Sequence, residues 1–139
     1  MAFLHPFTVR FSEIDAAGIV FFGTIFDYCH RAYEALLVAG GLPLEQILEG
    51  DWAMPLVHAE ADFERPMFLG ENLVVEVSIE TVGRSSLTYR HRILDPHHNL
   101  RATAQLVHVT TDTKTFVSRP LPEPLLESLR ALKLLPSDR

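Results

Sequence analysis

Cysteine, positive charge and long apolar segments are all scarce in this chain of 139 residues. Its single cysteine, Cys29, excludes an intramolecular disulfide and fits a reducing compartment, so we expect a cytoplasmic protein. No apolar run approaches the roughly 20 residues that a membrane span needs. The first residues also lack the basic and apolar regions of a signal peptide. We therefore expect no membrane partner.

Charge and composition limit the partners further. Twelve Lys and Arg residues stand against 18 Asp and Glu residues, which gives a formal net charge of −6. Nucleic-acid binding favours a basic surface, so we expect no nucleic-acid partner. Zinc-type spacing of His, Cys, Asp and Glu is missing, and we expect no metal. With 47% hydrophobic residues, the chain is expected to form one globular domain over residues 1–139.

The hydrophobic pattern predicts one long helix followed by several strands. Helical spacing of apolar residues extends over 24–39, with Thr24 as the expected N-cap and glycines 40 and 41 as the stop signal. A shorter helix is expected at 44–48, and a last amphipathic helix carries the leucines between 125 and 132. Alternation of period two predicts strands at 7–11, 54–63, 73–80, 86–94, 100–111 and 115–118.

These elements predict an α+β fold. The long helix cannot bury its own apolar face, so the most economical arrangement is an antiparallel sheet of five or six strands wrapped around it. The outer surface and the edge strands of such a sheet need covering. This requirement predicts a dimer or a larger assembly.

A lone carboxylate stands just before the long helix. Asp15 is followed by two alanines, Gly18 and a short apolar run that ends at Phe22. Helix N-termini leave backbone N–H groups unpaired and carry partial positive charge. This arrangement suits acyl transfer, in which the acid or its activated water attacks a carbonyl and amides hold the oxyanion. The alternative is a turn aspartate that binds local N–H groups, next to an ordinary loop glycine.

The motif as a whole resembles a known family. Residues 11–22, followed by Tyr28, His30 and the segment 32–34, resemble the hotdog-fold acyl-CoA thioesterases of the 4-hydroxybenzoyl-CoA thioesterase type. The segment 54–63, with the proline and glycine that follow it, resembles the second strand and turn of that family. Together with residues 29–34, it is most similar to the branch that hydrolyses 1,4-dihydroxy-2-naphthoyl-CoA.

The resemblance implies a fold, an assembly and a catalytic set. It implies a hotdog fold, a homodimer joined sheet edge to sheet edge or a homotetramer of such dimers, and active sites at the subunit interface. Asp15 would act as nucleophile or as general base, Gly18 would shape the loop, and the Phe22 backbone N–H would bind the oxyanion. The substrate would be a small-molecule acyl-CoA with an aromatic or bulky acyl group. No cofactor would be required.

Substrate-binding residues are expected at five positions. His58 would lie near the acyl pocket, Arg84 and Ser85 would meet the CoA diphosphate, and Phe21 and Met54 would line an aromatic acyl pocket. For the histidine and the arginine, the alternative is a solvated strand face. For the two apolar residues, the alternative is plain core.

Three other functions are weighed against thioester hydrolysis of acyl-CoA. The first is a thioesterase that acts on acyl-carrier-protein thioesters, which the negative charge disfavours. The second is a hotdog hydratase or dehydratase, although the expected histidine-based loop motif before the helix is missing. The third is a non-catalytic acyl-CoA binder, against which Asp15 argues because a half-buried carboxylate is costly unless it is used or paired.

Overall fold

The computed structural model describes residues 2–135, in which seven β-strands and three α-helices follow one another. The strands are β1 (Phe3–Thr8), β2 (Trp52–Ala53), β3 (Leu56–Phe63), β4 (Asn72–Val82), β5 (Ser86–Leu94), β6 (Leu100–Val109) and β7 (Thr111–Asp112). The helices are α1 (Thr24–Ala39), α2 (Leu44–Glu49) and α3 (Glu123–Ala131). Within this part of the chain, no helix combines the length and apolar character that crossing a bilayer requires.

Five strands form the main antiparallel sheet, in the order β1-β4-β5-β6-β3. The short strands β2 and β7 pair separately. β1 and β3 are therefore the two edges of the main sheet. All residues of β3 except Ala61 are exposed, so this edge is the less covered one.

Helix α1 packs its apolar face on one face of this sheet. On β4, Leu73, Val75 and Val77 are buried and alternate with less buried residues, as a strand with one face in the core requires. The buried residues of α1 are Ile25, Tyr28, Cys29, Ala32, Leu36 and Leu37. Each large apolar side chain buried in this way contributes about 1.5–3 kcal/mol, so this layer supplies much of the driving force for folding. The predicted α+β arrangement, an antiparallel sheet of five or six strands around a central helix, is confirmed, with five strands in the main sheet.

Three local predictions are wrong. Thr24 is the first helical residue and not the N-cap, which is Gly23 and supplies no side-chain hydrogen bond. The first strand spans Phe3–Thr8 instead of 7–11, because the chain turns into a 3₁₀ helix at Phe11–Glu13. Residues 115–118 form no strand: they lie in a turn that makes only an isolated bridge at Ser118.

Candidate active site

The Asp15 loop is closed by its own backbone. Ile14 and Val20 form an antiparallel bridge, and the Asp15 N–H donates to the Ile19 carbonyl at 2.9 Å. Gly18 donates its N–H to the Asp15 carbonyl at 3.0 Å and has φ +81°, a conformation that favours glycine. The half-buried Asp15 carboxylate accepts the Ala17 N–H at 2.8 Å. The local hydrogen bond expected of a turn aspartate, the alternative weighed against catalysis, is therefore present, and it leaves carboxylate lone pairs available for chemistry.

The backbone N–H groups of Phe21 and Phe22, just before α1, differ in their partners. The Phe21 N–H donates to the Glu13 carbonyl at 2.9 Å. By contrast, the Phe22 N–H has no acceptor within residues 2–135. The Phe22 carbonyl accepts a 3.4 Å hydrogen bond from the Ile25 N–H in the first turn of α1. The unpaired Phe22 N–H therefore stands at the positive end of the helix, where a developing negative charge is stabilised.

Asp15 and Phe22 line one cavity of about 510 Å³, which we call the Asp15 cavity. Its opposite wall is formed by Phe63, the last residue of β3, and by residues 64–67. The wall is fastened to the loop because the Val20 N–H donates to the Met67 carbonyl at 2.9 Å. Arg65 brings an exposed guanidinium to this cavity. Sequence reasoning missed Arg65, whose only signal is its place directly after a strand and before a proline.

Glu13 anchors the loop to α1. Its carboxylate accepts hydrogen bonds from the Arg10 N–H at 2.8 Å, the Tyr28 hydroxyl at 2.8 Å and the Arg31 guanidinium at 3.1 Å. Burial opposes ionisation of Glu13, but these three donors outweigh it and lower its pKa. Sequence reasoning assigned no role to Glu13, because its partners lie up to 18 positions away.

Met54 lies in a second cavity of about 600 Å³. We call it the aromatic cavity, since Tyr33, Trp52 and Phe116 contribute rings to its wall. The Met54 carbonyl accepts a 2.8 Å hydrogen bond from His108 Nδ1, whose ring stacks on Tyr33 at 4.6 Å. Burial lowers the pKa of His108, so the ring is held neutral. The exposed His30 on α1 also borders this cavity.

The other predicted substrate residues lie outside the Asp15 cavity. Phe21 packs its ring on Phe22 at 4.5 Å. His58 is exposed at the start of β3 and contacts Glu60 at 3.0 Å. Arg84 and Ser85 lie in the β4–β5 turn, where their carbonyls accept the N–H groups of residues 121 and 110. Only Asp15, Gly18 and Phe22 are thus brought together within one chain, with Phe21 beside them.

Other reactive groups are few. Within the described part of the chain, no group of three or more His, Cys, Asp or Glu side chains could hold a metal ion. Cys29 is buried on α1, and burial raises the pKa of its thiol to about 12. A thiol with such a pKa is a poor nucleophile at neutral pH.

Comparison with known proteins identifies the family of the chain. The profile of the thioesterase-like superfamily matches residues 9–129. This stretch contains the Asp15 loop, helix α1 and every strand of the main sheet except β1. The chain belongs to the thioesterase-like superfamily. The resemblance identified in the sequence is thereby confirmed.

Several relatives within this superfamily carry names that state an activity. The 1,4-dihydroxy-2-naphthoyl-CoA hydrolase of Synechococcus elongatus is 37% identical over 124 residues, which cover 88% of this chain and 90% of that protein. The enzyme of the same name from Rippkaea orientalis is 34% identical and covers 89% and 92%. A solved 1,4-dihydroxy-2-naphthoyl-CoA thioesterase from Synechocystis superposes with a TM-score of 0.88 at 32% identity, covering 96% of this chain and 98% of that one.

Proposed function

We propose that this chain is an acyl-CoA thioesterase that hydrolyses an aromatic acyl-CoA, with 1,4-dihydroxy-2-naphthoyl-CoA as the leading candidate substrate. The observation that carries the proposal is the pairing of the Asp15 carboxylate with the unpaired Phe22 N–H in one cavity. The names of the relatives support the choice of thioester and of aryl group.

In this mechanism the thioester carbonyl oxygen accepts the Phe22 N–H. Either the Asp15 carboxylate attacks the carbonyl carbon, or it takes a proton from a water that attacks. The tetrahedral oxyanion is held by the amide at the α1 N-terminus, an interaction typically worth about 10²–10³ in rate. Its collapse breaks the C–S bond and releases the CoA thiolate, which becomes CoA-SH by taking the proton held on Asp15 in the general-base route, or one from the water that cleaves the anhydride in the nucleophilic route. In the first route water then cleaves the anhydride, so both routes end in the free acid and need no cofactor.

The edge strand β3 supports a homodimer. Its exposed residues lie at a sheet edge that pairs with β6 alone among the described strands. Exposed edges invite pairing with a second copy of the same chain. In a two-fold antiparallel pair of β3 strands, the end of one strand lies beside the beginning of the other.

Such a dimer would complete the site. The Asp15 cavity adjoins Phe63 at the end of β3, and the aromatic cavity adjoins residues 52–55 just before its beginning. Along one strand these ends are roughly 25 Å apart. Edge pairing would place the Asp15 cavity of one protomer beside the aromatic cavity of its partner. The aryl group would then lie in the partner's cavity while its thioester reaches Asp15.

Such a dimer would also bring three predicted substrate residues close to an Asp15 cavity, although they lie far from Asp15 of their own chain. His58 lies at the beginning of β3, and the Ser85 carbonyl accepts the Thr110 N–H near that end of the sheet. The exposed Arg84 directly precedes Ser85. In the dimer these residues would approach the opposite protomer's Asp15, with Arg84 placed for the CoA diphosphate. Pairing of two such dimers into a tetramer, and a cytoplasmic location that keeps the lone thiol reduced, complete the proposal.

The test is release of CoA-SH, followed with a thiol reagent, across aryl-CoA, straight-chain acyl-CoA and acyl-carrier-protein thioesters. We expect the largest kcat/KM for 1,4-dihydroxy-2-naphthoyl-CoA or another aryl-CoA. Preference for the carrier-protein thioesters would move the substrate class to those proteins. Absence of turnover on the whole panel would contradict the proposal.

A further inference from the structure

Phe116 has a backbone conformation that bulky residues rarely adopt. Its φ is +59°, in the left-handed region, which costs a non-glycine residue free energy. The residue lies in a turn where its N–H donates to the Asp112 carbonyl at 2.9 Å. Strain of this kind persists where surrounding structure enforces it, and it concentrates at ligand sites.

The Phe116 ring is also unusually exposed. Its relative exposure is 76%, although it borders the aromatic cavity. Among residues 2–135 no other ring packs on it. The lining of the cavity also contains Trp52 and Tyr33, and Tyr33 already stacks on His108. Trp52 and Phe116 are therefore the two lining rings with no ring packed on them in the described part of the chain, and of the two Phe116 is the exposed one.

The turn that carries Phe116 is firmly held. The Asp112 carboxylate accepts the N–H groups of Lys114 at 2.8 Å and Thr115 at 3.0 Å. Arg119 donates to the Asp51 carbonyl at 2.9 Å, which ties the turn to the residue before Trp52. The strained residue is thus presented on a fastened turn, so its ring can stack on a ligand without a large ordering cost.

We propose that Phe116 is a specificity-determining residue, whose ring stacks on the aromatic acyl group at the mouth of the aromatic cavity. The inference rests on the proposed function for the identity of that group. Stacked aromatic rings stabilise a complex beyond what their buried area contributes, and removal of the ring loses both contributions. Phe116→Ala should therefore weaken the binding of aryl substrates selectively, by about tenfold in KM.

The kinetic test compares Phe116→Ala with Val117→Ala. Val117 is the next residue, is 63% exposed and does not border the cavity, so it is a matched control. We expect Phe116→Ala to raise KM about tenfold for aryl-CoA with kcat nearly unchanged, and to leave straight-chain acyl-CoA unaffected. Val117→Ala should match the wild type. An unchanged KM, or an equal loss for both substrate classes, would overturn the inference.

A second measurement separates this inference from the proposed function. Trp52 is the only tryptophan of the chain and borders the same cavity, so its fluorescence reports binding of 2-naphthoate without any turnover. In the Asp15→Asn background, Phe116→Ala should raise the Kd about tenfold and Val117→Ala should not. If Phe116→Ala leaves the Kd unchanged, or if the Asp15→Asn protein does not bind 2-naphthoate, the role of Phe116 is wrong even if the thioesterase activity is confirmed. Phe116→Gly removes the backbone strain and the ring together. It should therefore raise Tm and weaken the binding of 2-naphthoate. A lower Tm would contradict the claim that the backbone is strained.

Discussion

The Tyr28 hydroxyl on α1 donates a 2.8 Å hydrogen bond to Glu13 Oε1, two residues before Asp15. The same glutamate accepts the Phe21 N–H through its backbone carbonyl, one residue before the oxyanion amide. Glu13 is only 7% exposed, so its charge depends on these partners. One buried residue thus helps to position both groups that the mechanism uses, with its side chain fastened to α1 and its backbone carbonyl to the Phe21 N–H.

Glu13→Gln should therefore reduce both stability and activity. An amide cannot satisfy the Arg10, Tyr28 and Arg31 donors as a carboxylate does, and hydrogen bonds to charged groups contribute about 1.5–3 kcal/mol. We expect unfolding in urea to show a loss of about that size and kcat to fall about tenfold or more. Tyr28→Phe removes one donor and keeps the charge, so its loss should be smaller. Equal effects of the two variants would refute the central role of the carboxylate.

Gly18→Ala should disturb the loop through its backbone alone. A Cβ at this position meets no atom within 4 Å, so only the left-handed conformation opposes it, at about 1–2 kcal/mol. Gly41 has nearly the same φ of +83° and the same open surroundings, but it follows α1 at the other end. Both alanine variants should lose similar stability in denaturant titrations, while only Gly18→Ala should lower kcat. A fall in kcat for both would show that the effect is general.

The buried His91 should make stability depend on pH. Burial lowers its pKa from 6.5 to about 4, against a smaller opposing effect of the backbone at Ala104. The unfolded chain therefore takes up a proton before the native protein does, and stability present above pH 6.5 is lost as the pH falls towards 4. The full effect is about 3 kcal/mol. His91→Phe should flatten this slope in urea unfolding, and exchange of the exposed His97 for Gln should not; a slope unchanged by His91→Phe would contradict the argument.

The dimer is tested at Val57. This residue is 60% exposed and is the unpaired position of the β3 bulge, so a charge there disturbs no ladder pair within the chain. Val57→Asp should convert the assembly to monomers in sedimentation experiments. Because the site needs both protomers, the monomeric variant should also turn over less substrate. Leu4→Asp, on the opposite edge strand and 59% exposed, is the control. If Val57→Asp keeps its mass, or becomes monomeric with full activity, the interface site is wrong.

Periodicity and motif predicted much of the fold. The strand at Ser86–Leu94 and the helix at Thr24–Ala39 agree with prediction because their apolar faces have unbroken periods. The errors lie where hydrogen bonds between residues two to four positions apart compete with the alternating pattern. Arg10 donates to Glu13 instead of continuing a strand. Asp112 binds three N–H groups and folds residues 113–116 into a turn.

The candidate site was predictable only in part. Asp15, Gly18 and Phe22 are close in sequence, so the motif alone brings them together. The Glu13 network depends on α1, and the Asp15 cavity needs residues 63–67 from beyond β3. Alternation also did not distinguish Met54, next to a 600 Å³ cavity, from a core residue. Such placements follow from the order of strands in the sheet, which local periodicity does not encode.

The most direct test of the account is the single-turnover rate of thioester cleavage by Asp15→Asn with an aryl-CoA. Asp27→Asn removes an equal charge from the first turn of α1 and is the control. Asp27 is exposed and pairs with Arg31 near the surface, where ion pairs contribute little, and Arg31 keeps its bond to Glu13. We predict that Asp15→Asn folds with an unchanged Tm, still binds the substrate and loses at least about 10³ in rate, a barrier increase of about 4 kcal/mol. Asp27→Asn should stay close to the wild type. Cleavage by Asp15→Asn at the wild-type rate would contradict the assignment of the active site.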